Sequence, residues 1–321
     1  MKETIKKYIP SFIAKWYLQY KTNQEHRRAA IINKWGVEVR MKDDIYSPLP
    51  VLEELKKNEK RWNKPSSFSN INFNLEEMKT LLANIINKHF KGLDDFYKMK
   101  DLEEFGLGFN QIDAMLLYCI LSHYKPSKYY EVGCGMSTFI THYARTRNNF
   151  NCEIKTVEPY PFDRLYELPN ITIIKEFGQN IPLNHFDSLS ENDILFIDTT
   201  HIVKIDSEVN YLILEILPRL QKGVIIHFHD IPFPFNFPYP ASYWITGRAI
   251  PKLNHWQMPQ YWQEPVLLQA FLMYNPNFEI LMSMPMLRHF DEQFLYDTIP
   301  NYQSATQHPN TFSSLWLRKI K

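Results

Sequence analysis

The sequence carries no excess of charge of either sign, few cysteines and no long apolar run, and each shortage excludes something. Lys and Arg number 36 against 35 Asp and Glu, a formal charge of +1, so nothing in the overall balance draws the chain to nucleic acid, and none is expected as a partner. The three cysteines, Cys119, Cys134 and Cys152, are an odd number without C-x-x-C spacing, each in or beside an apolar segment. They read as reduced core thiols. No segment approaches the roughly 18 uninterrupted apolar residues of a membrane span, and the first residues lack a signal peptide's apolar block and cleavage site. A cytoplasmic location is the expectation. With 321 residues, 45% of them apolar, the chain can bury a full core.

What is present is organised around Tyr129-Tyr130-Glu131-Val132-Gly133-Cys134-Gly135-Met136-Ser137-Thr138. An apolar and aromatic run stops at two glycines one residue apart, then Ser137 and Thr138 lead into a helix-like stretch from Phe139 to Arg145. Strand, tight turn, helix is the reading. Glycines let the backbone turn sharply and approach a ligand, and a fresh helix N-terminus offers unpaired N–H groups. A second β-like run, Glu153 to Val157, ends at Glu158, roughly 20 residues beyond the turn, where a doubly wound fold places the carboxylate that takes ribose hydroxyls. The third glycine of a dinucleotide fingerprint is missing, which argues against a pyrophosphate and against an NAD-dependent oxidoreductase.

Strand and helix alternate through the central block, the signature of a parallel sheet with helices on both faces. Strands are expected near 128–133, 153–158, 171–175, 193–198 and 223–229, with an amphipathic helix from Ser207 to Leu220 between the last two, and further strands at 278–283 and 312–320 around a helix at 261–275. Before the first strand, helices are expected over 75–90, capped by Asn74, and over Asn110 to Tyr124. Residues 41–74 read as a loose connection. The domain division expected is an N-terminal helical and irregular extension over 1–109, then 110–321 with a lid-like insertion at about 231–260, which opens on the proline-rich run Ile231 to Pro240. At the N-terminus, Ile5, Tyr8, Ile9, Phe12, Ile13, Trp16 and Tyr17 recur at helical spacing among Lys2, Lys6, Lys7, Lys15 and Lys21, interrupted by Pro10. Such a basic amphipathic stretch suits packing on its own domain, a second subunit, or peripheral contact with the anionic inner face of a membrane.

Two acids stand at strand ends, Asp198 and Asp230, and neighbouring parallel strands would bring them to one rim. A pair of hard oxygen ligands there suits Mg²⁺ or another divalent cation. The competing reading is that Asp198 orients the ligand and Asp230 caps a loop. His201, in Asp198-Thr199-Thr200-His201, is a loop histidine with an ordinary pKa near 6.5 that could act as general base. His229 competes with it as base or metal ligand. His227 shares the His229 strand face, lies deeper and reads as a core residue.

The motif Glu131-x-Gly133-x-Gly135-x-Ser137 resembles the first motif of class I S-adenosylmethionine-dependent methyltransferases, whose cosubstrate has a ribose and an adenine but no phosphate. From Asp113 to Lys319 the chain resembles the methyltransferase domain 24 group of that class, at Glu131 to Thr138, Phe196 to His201, Asn210 to Leu220, His227 to Asp230 and Ser314 to Lys319. The resemblance implies a Rossmann-like α/β fold: a doubly wound, mostly parallel seven-stranded sheet with the last strand antiparallel. It implies transfer of a methyl group to a hydroxyl, expected to be that of a carbohydrate or glycoconjugate. The implied cosubstrate site is Glu131, Gly133, Gly135, Ser137, Thr138, Glu158 and Asp198, with Gly178 and Gln179 at the adenine. It further implies His201 as the base and Asp198 with Asp230 as metal ligands, so that His201, Asp198 and, from the residue reading, His229 are the catalytic candidates. Catechol-type enzymes place a further acid or amide directly after the second metal ligand, where this chain has Ile231. A scaffolding protein that keeps the fold and transfers nothing is the alternative.

Overall fold

The computed structural model describes residues 47–93, 102–106, 109–238, 241–246, 248–250, 255–257, 259–300, 302 and 312–321, together with Ile13, Trp16, Tyr17, Tyr20 and Gln24. The chain divides into two compact units, Met1–Glu59 and Lys60–Lys321. In the first, Ile13, Trp16, Tyr17 and Tyr20 are helical and all exposed, and Trp16 stacks on Tyr20. The rest of the basic N-terminal pattern lies outside the described residues. A helix, Leu52–Lys57, and a second at Glu59–Trp62 occupy part of what the sequence suggested was loose connection.

The second unit is built on one seven-stranded sheet. Its strands are β1 Lys128–Val132, β2 Glu153–Val157, β3 Ile171–Ile174, β4 Ile194–Ile197, β5 Ile225–Phe228, β8 Phe278–Ser283 and β9 Leu315–Lys319, while β6 Arg248–Ile250 and β7 His255–Gln257 form a separate hairpin. The order is β3-β2-β1-β4-β5-β9-β8, with β9 antiparallel to both neighbours. The sheet is therefore the Rossmann-like, mostly parallel one that the strand-helix alternation implied. Its order reverses between β1 and β4, the switch point at which open α/β sheets bind ligands outside the strands' carboxyl ends.

Central strands are buried along their whole length because helices cover both faces. Ile194, Leu195, Phe196 and Ile197 are all buried, as are Ile225 to Phe228. The helix Leu75–His89 begins where Asn74 accepts from the N–H groups of Glu76 and Glu77, and Gln111–Tyr124 begins at Asn110, which accepts from Ile112 and Asp113. The expected helix from Ser207 to Leu220 does not run straight. Ser207 caps it, but after Glu208–Tyr211 it widens into a π-turn over Leu212–Ile216 and tightens to 3₁₀ over Leu217–Arg219. Pro218 is the cause available on the chain, since it lacks the N–H that an α-helix would need there. The region 261–275 is helical only over Glu264–Leu272. A helix that the sequence reading did not anticipate, Met284–Thr298, joins β8 to the segment before β9.

The proline-rich run has no regular element from 231 to 238. Its start is core: Ile231 and Phe233 are fully buried, and Phe233 meets Phe68 edge-on at 4.9 Å. That packs the start of the loop into the core.

Candidate functional site

The paired-glycine bend is held at a very close approach between strand ends. Gly133 has φ +86, and a Cβ built there would sit 1.7 Å from the backbone oxygen of Asp198. Its N–H donates to Val157, and the Asp198 N–H donates to Val132, so the ends of β1, β2 and β4 are knitted at this residue. Gly135 lets the backbone oxygen of Phe105 approach, where a Cβ would come within 2.8 Å. Glu131 is buried at the end of β1. It accepts from Ser137 Oγ at 2.5 Å, from Thr138 Oγ1 and from Tyr129 OH, and burial pushes its pKa up to about 8. Glu131, Ser137 and Thr138 thus spend their polar groups on one another and pin the first turn of the helix Met136–Arg147 onto the strand.

Beyond the bend lies a cavity of about 310 Å³ lined by Gly133, Glu158, Gly178, Gln179, Asp198 and Thr199, among others. Its chemistry fits an adenosine. Glu158 stands just past β2 with one oxygen on the Tyr160 N–H. Gln179 Oε1 and Thr199 Oγ1 are buried without a protein partner, the orphaned groups a nucleoside could satisfy. Lys and Arg are absent from its described lining, so nothing there calls for a phosphate. Gly178 has a packing reason too, because a Cβ would meet Val132 Cγ1 at 2.9 Å. A second cavity, about 170 Å³, continues past Gly135 and Ser137 to Asp198, His229 and Asp230.

The strand-end acids do meet. His201 Nε2 lies 3.5 Å from Asp198 Oδ1 and 3.5 Å from Asp230 Oδ2. His229 Nδ1 lies 3.4 Å from Asp198 Oδ2 and 3.6 Å from Asp230 Oδ2. His201 and Asp230 both have left-handed backbones, φ 61 and φ 58, an uncommon conformation for non-glycine residues. His201 is not the exposed loop histidine with an ordinary pKa that the sequence suggested: it is 5% exposed. Burial pulls its pKa down, but the hydrogen bond and charge of Glu264, then the charges of Asp230 and Asp198, more than reverse this and hold it at about 9. Burial likewise opposes the charge on His229, and Asp230, Asp198 and Asp113 outweigh it, raising the pKa well above the usual value. Asp230 goes the opposite way: burial resists its charge, yet His229 and His201 hold it well below the ordinary carboxylate range. His227 is a core residue, fully buried, stacked on Phe196 at 4.1 Å and bonded through Nε2 to Ser314 Oγ.

Two further carboxylates complete the cluster, and the sequence reading assigned neither a role. Glu264 Oε2 sits 2.7 Å from His201 Nδ1, and the Gln263 and Glu264 N–H groups both donate to the His201 carbonyl. Asp113, fully buried in the helix Gln111–Tyr124, lies 3.3 Å from His229 Nε2 and accepts from the N–H groups of Ser313 and Ser314. Each imidazole is therefore held at one nitrogen by a buried carboxylate and turns the other toward the gap between Asp198 and Asp230. Glu264 looks in sequence like any first-turn acid ahead of Pro265. Asp113 had one signal, a carboxylate amid the apolar run Ile112 to Leu121.

Three donor atoms, from Asp198, His201 and Asp230, lie within 4.8 Å of one another. They fit a divalent cation: ligands about 2.1 Å from a tetrahedral metal stand roughly 3.4 Å apart, close to the 3.5 Å seen between His201 and each carboxylate. Ile231, where catechol-type sites have a further ligand, is fully buried and its N–H donates to Ser313. A third cavity, about 380 Å³, opens on the other side of Asp230, walled by Phe109, Pro232, Pro238, Tyr243, Trp244 and neighbours from the helix Met284–Thr298.

The open α/β sheet thus carries a cavity of about 310 Å³ at its switch point, with Asp198 and Asp230 at the same rim. Residues 130–231 match the family described as a methyltransferase domain, the methyltransferase domain 24 group. An uncharacterized protein of Archaeoglobus fulgidus is 28% identical over 167 residues, 47% of this chain and 73% of its own length. Among solved structures, the chain is similar to the methyltransferase PaMTH1 of Podospora anserina, bound to S-adenosylhomocysteine (SAH), at 15% identity and a TM-score of 0.38, covering 86% of this chain and 100% of that one. It is also similar to an O-methyltransferase of Bacillus cereus in complex with SAH, at 10% identity and a TM-score of 0.40, covering 77% and 100%. At those scores the functional reading rests on this chain's own residues.

Proposed function

We propose that the protein transfers a methyl group from S-adenosylmethionine to a hydroxyl oxygen of a carbohydrate or glycoconjugate. The observation that carries this is the sharing of acids between cavities: Asp198 lines both cavities on the cosubstrate side, and Asp230 lines the second of these and the third cavity. A donor in one and an acceptor in the other would meet at the two strand ends. Tyr243 and Trp244 in the third cavity offer the aromatic faces on which a sugar ring can lie.

S-adenosylmethionine supplies an electrophilic methyl on sulfur. The chain's own task is positioning and proton removal. Glu158, Gly178 and Gln179 would hold the adenosine, and the bend at Gly133 and Gly135 would let the donor approach the backbone. Glu264 accepts the Nδ1 proton of His201, which leaves Nε2 as the basic nitrogen facing the acids, placed to take the acceptor's hydroxyl proton. Calorimetric titration with SAH tests the reading. Wild type is expected to bind, Gly135→Asp to lose binding because its side chain has no room beside Phe105, and a wild-type protein that ignores SAH defeats the reading.

A second reading is favoured by the three convergent donors: Asp198 and Asp230 would hold a divalent cation with His201 Nε2, and the cation would supply Lewis-acid polarisation of the hydroxyl. Titration of EDTA-treated protein with MnCl₂ separates the two. Heat of binding that disappears in Asp198→Asn supports the cation; no heat leaves His201 as the base.

The exposed Ile13, Trp16, Tyr17 and Tyr20, from 42% to 67% accessible, support peripheral contact of the N-terminal unit with an anionic membrane surface. Among the described residues no helix is long and apolar enough to cross one. Sedimentation with phosphatidylserine vesicles is expected to carry the protein down, and about tenfold less of it after Trp16→Ala with Tyr20→Ala, since two interfacial aromatics are lost. Equal recovery with neutral vesicles ends the idea.

A further inference from the structure

We propose that the cation held at the sheet rim is a first-row transition ion that takes imidazole nitrogen, such as Fe²⁺, Co²⁺ or Zn²⁺, with His201 as a ligand oriented by Glu264. This rests on the cation reading above, in which His201 is a ligand rather than the base, and adds the class of metal. Of the three donors within 4.8 Å of one another, two belong to carboxylates and the third to His201. Ile231, directly after Asp230, is fully buried and apolar, so it adds no side-chain donor. Sites built of oxygen alone suit Mg²⁺ and Ca²⁺, whereas an imidazole in the set favours Fe²⁺, Co²⁺ and Zn²⁺.

The spacing points the same way. Adjacent donors on an octahedral ion with bonds of about 2.1 Å, the geometry Mg²⁺ demands, stand roughly 3.0 Å apart, and on a four-coordinate ion roughly 3.4 Å. His201 Nε2 lies 3.5 Å from Asp198 Oδ1 and 3.5 Å from Asp230 Oδ2. The imidazole is also fixed from behind. Its Nδ1 is 2.7 Å from Glu264 Oε2, a carboxylate partner that orients a ligating histidine and leaves Nε2 for the metal. Trp262 packs on the ring with centroids 4.4 Å apart, and the Gln263 and Glu264 N–H groups hold the His201 carbonyl. Three consecutive residues thus fix ring face, backbone and far nitrogen, so little freedom is left to lose on binding. A second buried nitrogen faces the same acids. His229 Nδ1 has no hydrogen bond of its own and lies 3.4 Å from Asp198 Oδ2 and 3.6 Å from Asp230 Oδ2, the orphaned kind of group that marks a ligand site.

Titration with CoCl₂ of protein stripped with EDTA and exchanged into metal-free buffer, followed by visible absorption, tests this. Four-coordinate Co²⁺ absorbs strongly and six-coordinate Co²⁺ faintly. Wild type is expected to give the strong bands, and ZnCl₂ to displace them where MgCl₂ in about hundredfold excess does not. His201→Ala should lose the bands, and Glu264→Gln should weaken Zn²⁺ binding about tenfold or more, the usual effect of removing a ligand's carboxylate partner. SAH binding by calorimetry shows that both variants are folded, and the wild-type spectrum needs no variant at all. Faint bands in wild type, displacement by equimolar MgCl₂, or strong bands that survive His201→Ala each overturns the proposal. In the first two a cation is still bound, and the cation reading stands. An unchanged Zn²⁺ affinity in Glu264→Gln strikes out Glu264 as the orienting residue. Protein that takes up neither Co²⁺ nor Mg²⁺ removes this inference and the cation reading together, while the SAH titration decides the methyltransferase reading separately.

Discussion

Gly133→Ala is expected to unfold the protein more easily by about 3 kcal/mol or more and to abolish SAH binding, measured by the urea midpoint and by calorimetry. The new methyl would stand 1.7 Å from the Asp198 carbonyl oxygen at a residue whose φ of +86 already disfavours any side chain. Relief by a backbone shift is blocked on both sides, because the Gly133 N–H bonds to Val157 and the Asp198 N–H bonds to Val132. To admit alanine, β1 and β4 must part at their carboxyl ends, where the cosubstrate cavity and the acidic cluster begin. Against a typical total of about 5–15 kcal/mol that loss is large. Gly135→Ala is the control: its Cβ would meet the Phe105 oxygen at 2.8 Å, on a loop outside the sheet, and the cost should be clearly smaller. Equal stability of Gly133→Ala and wild type would mean that the bend is not packed as described.

The elements that positioned the site were legible because they obey local rules. Buried parallel strands are dominated by apolar residues, so β4, and β5 despite His227, announced themselves, and with them the strand-end acids Asp198 and Asp230. Asn74 and Asn110 cap helices as their chemistry requires. What could not be read was anything decided by contact between distant segments. His201 looked exposed because loop residues usually are, yet the start of the helix Glu264–Leu272 docks on its carbonyl and covers it. Glu264 is 63 residues away in sequence, and no periodicity links the two. Glu131 shows the reverse: its place in the motif was plain, but not that its carboxylate is spent on Ser137, Thr138 and Tyr129. The third cavity also escaped the sequence, since its walls come from the starts of two helices, the short helix Ala241–Trp244, the proline-rich loop and the residues before β9.

His201→Ala is expected to lower kcat by about 10²–10⁴-fold, the usual share of a general base, with SAH binding kept, because His201 is not among the residues lining the adenosine cavity. The pH profile carries the sharper test. A base must be neutral to act. With its pKa held at about 9, methyl transfer by the chelator-treated protein should rise with pH toward that value. Glu264→Gln preserves a hydrogen-bond acceptor at Nδ1 but removes its charge, so the His201 pKa falls and the rising limb moves to lower pH. Other titrating groups face the same gap. Asp198 and Asp230 act on both imidazoles, and His229 is held by Asp113, none of which changes in the variant. Glu131, which burial pushes up to about 8, titrates nearby, but its hydrogen-bond partners are Ser137, Thr138 and Tyr129, so a limb due to it would stay put. Stability should follow the same linkage with the sign set by the raised pKa. The contribution of protonated His201 is full below its unfolded value of about 6.5 and is lost as pH rises through about 9. Glu264→Gln should therefore cost stability at pH 6 and little at pH 10, and a limb that does not move in this variant would show that the proton is taken elsewhere.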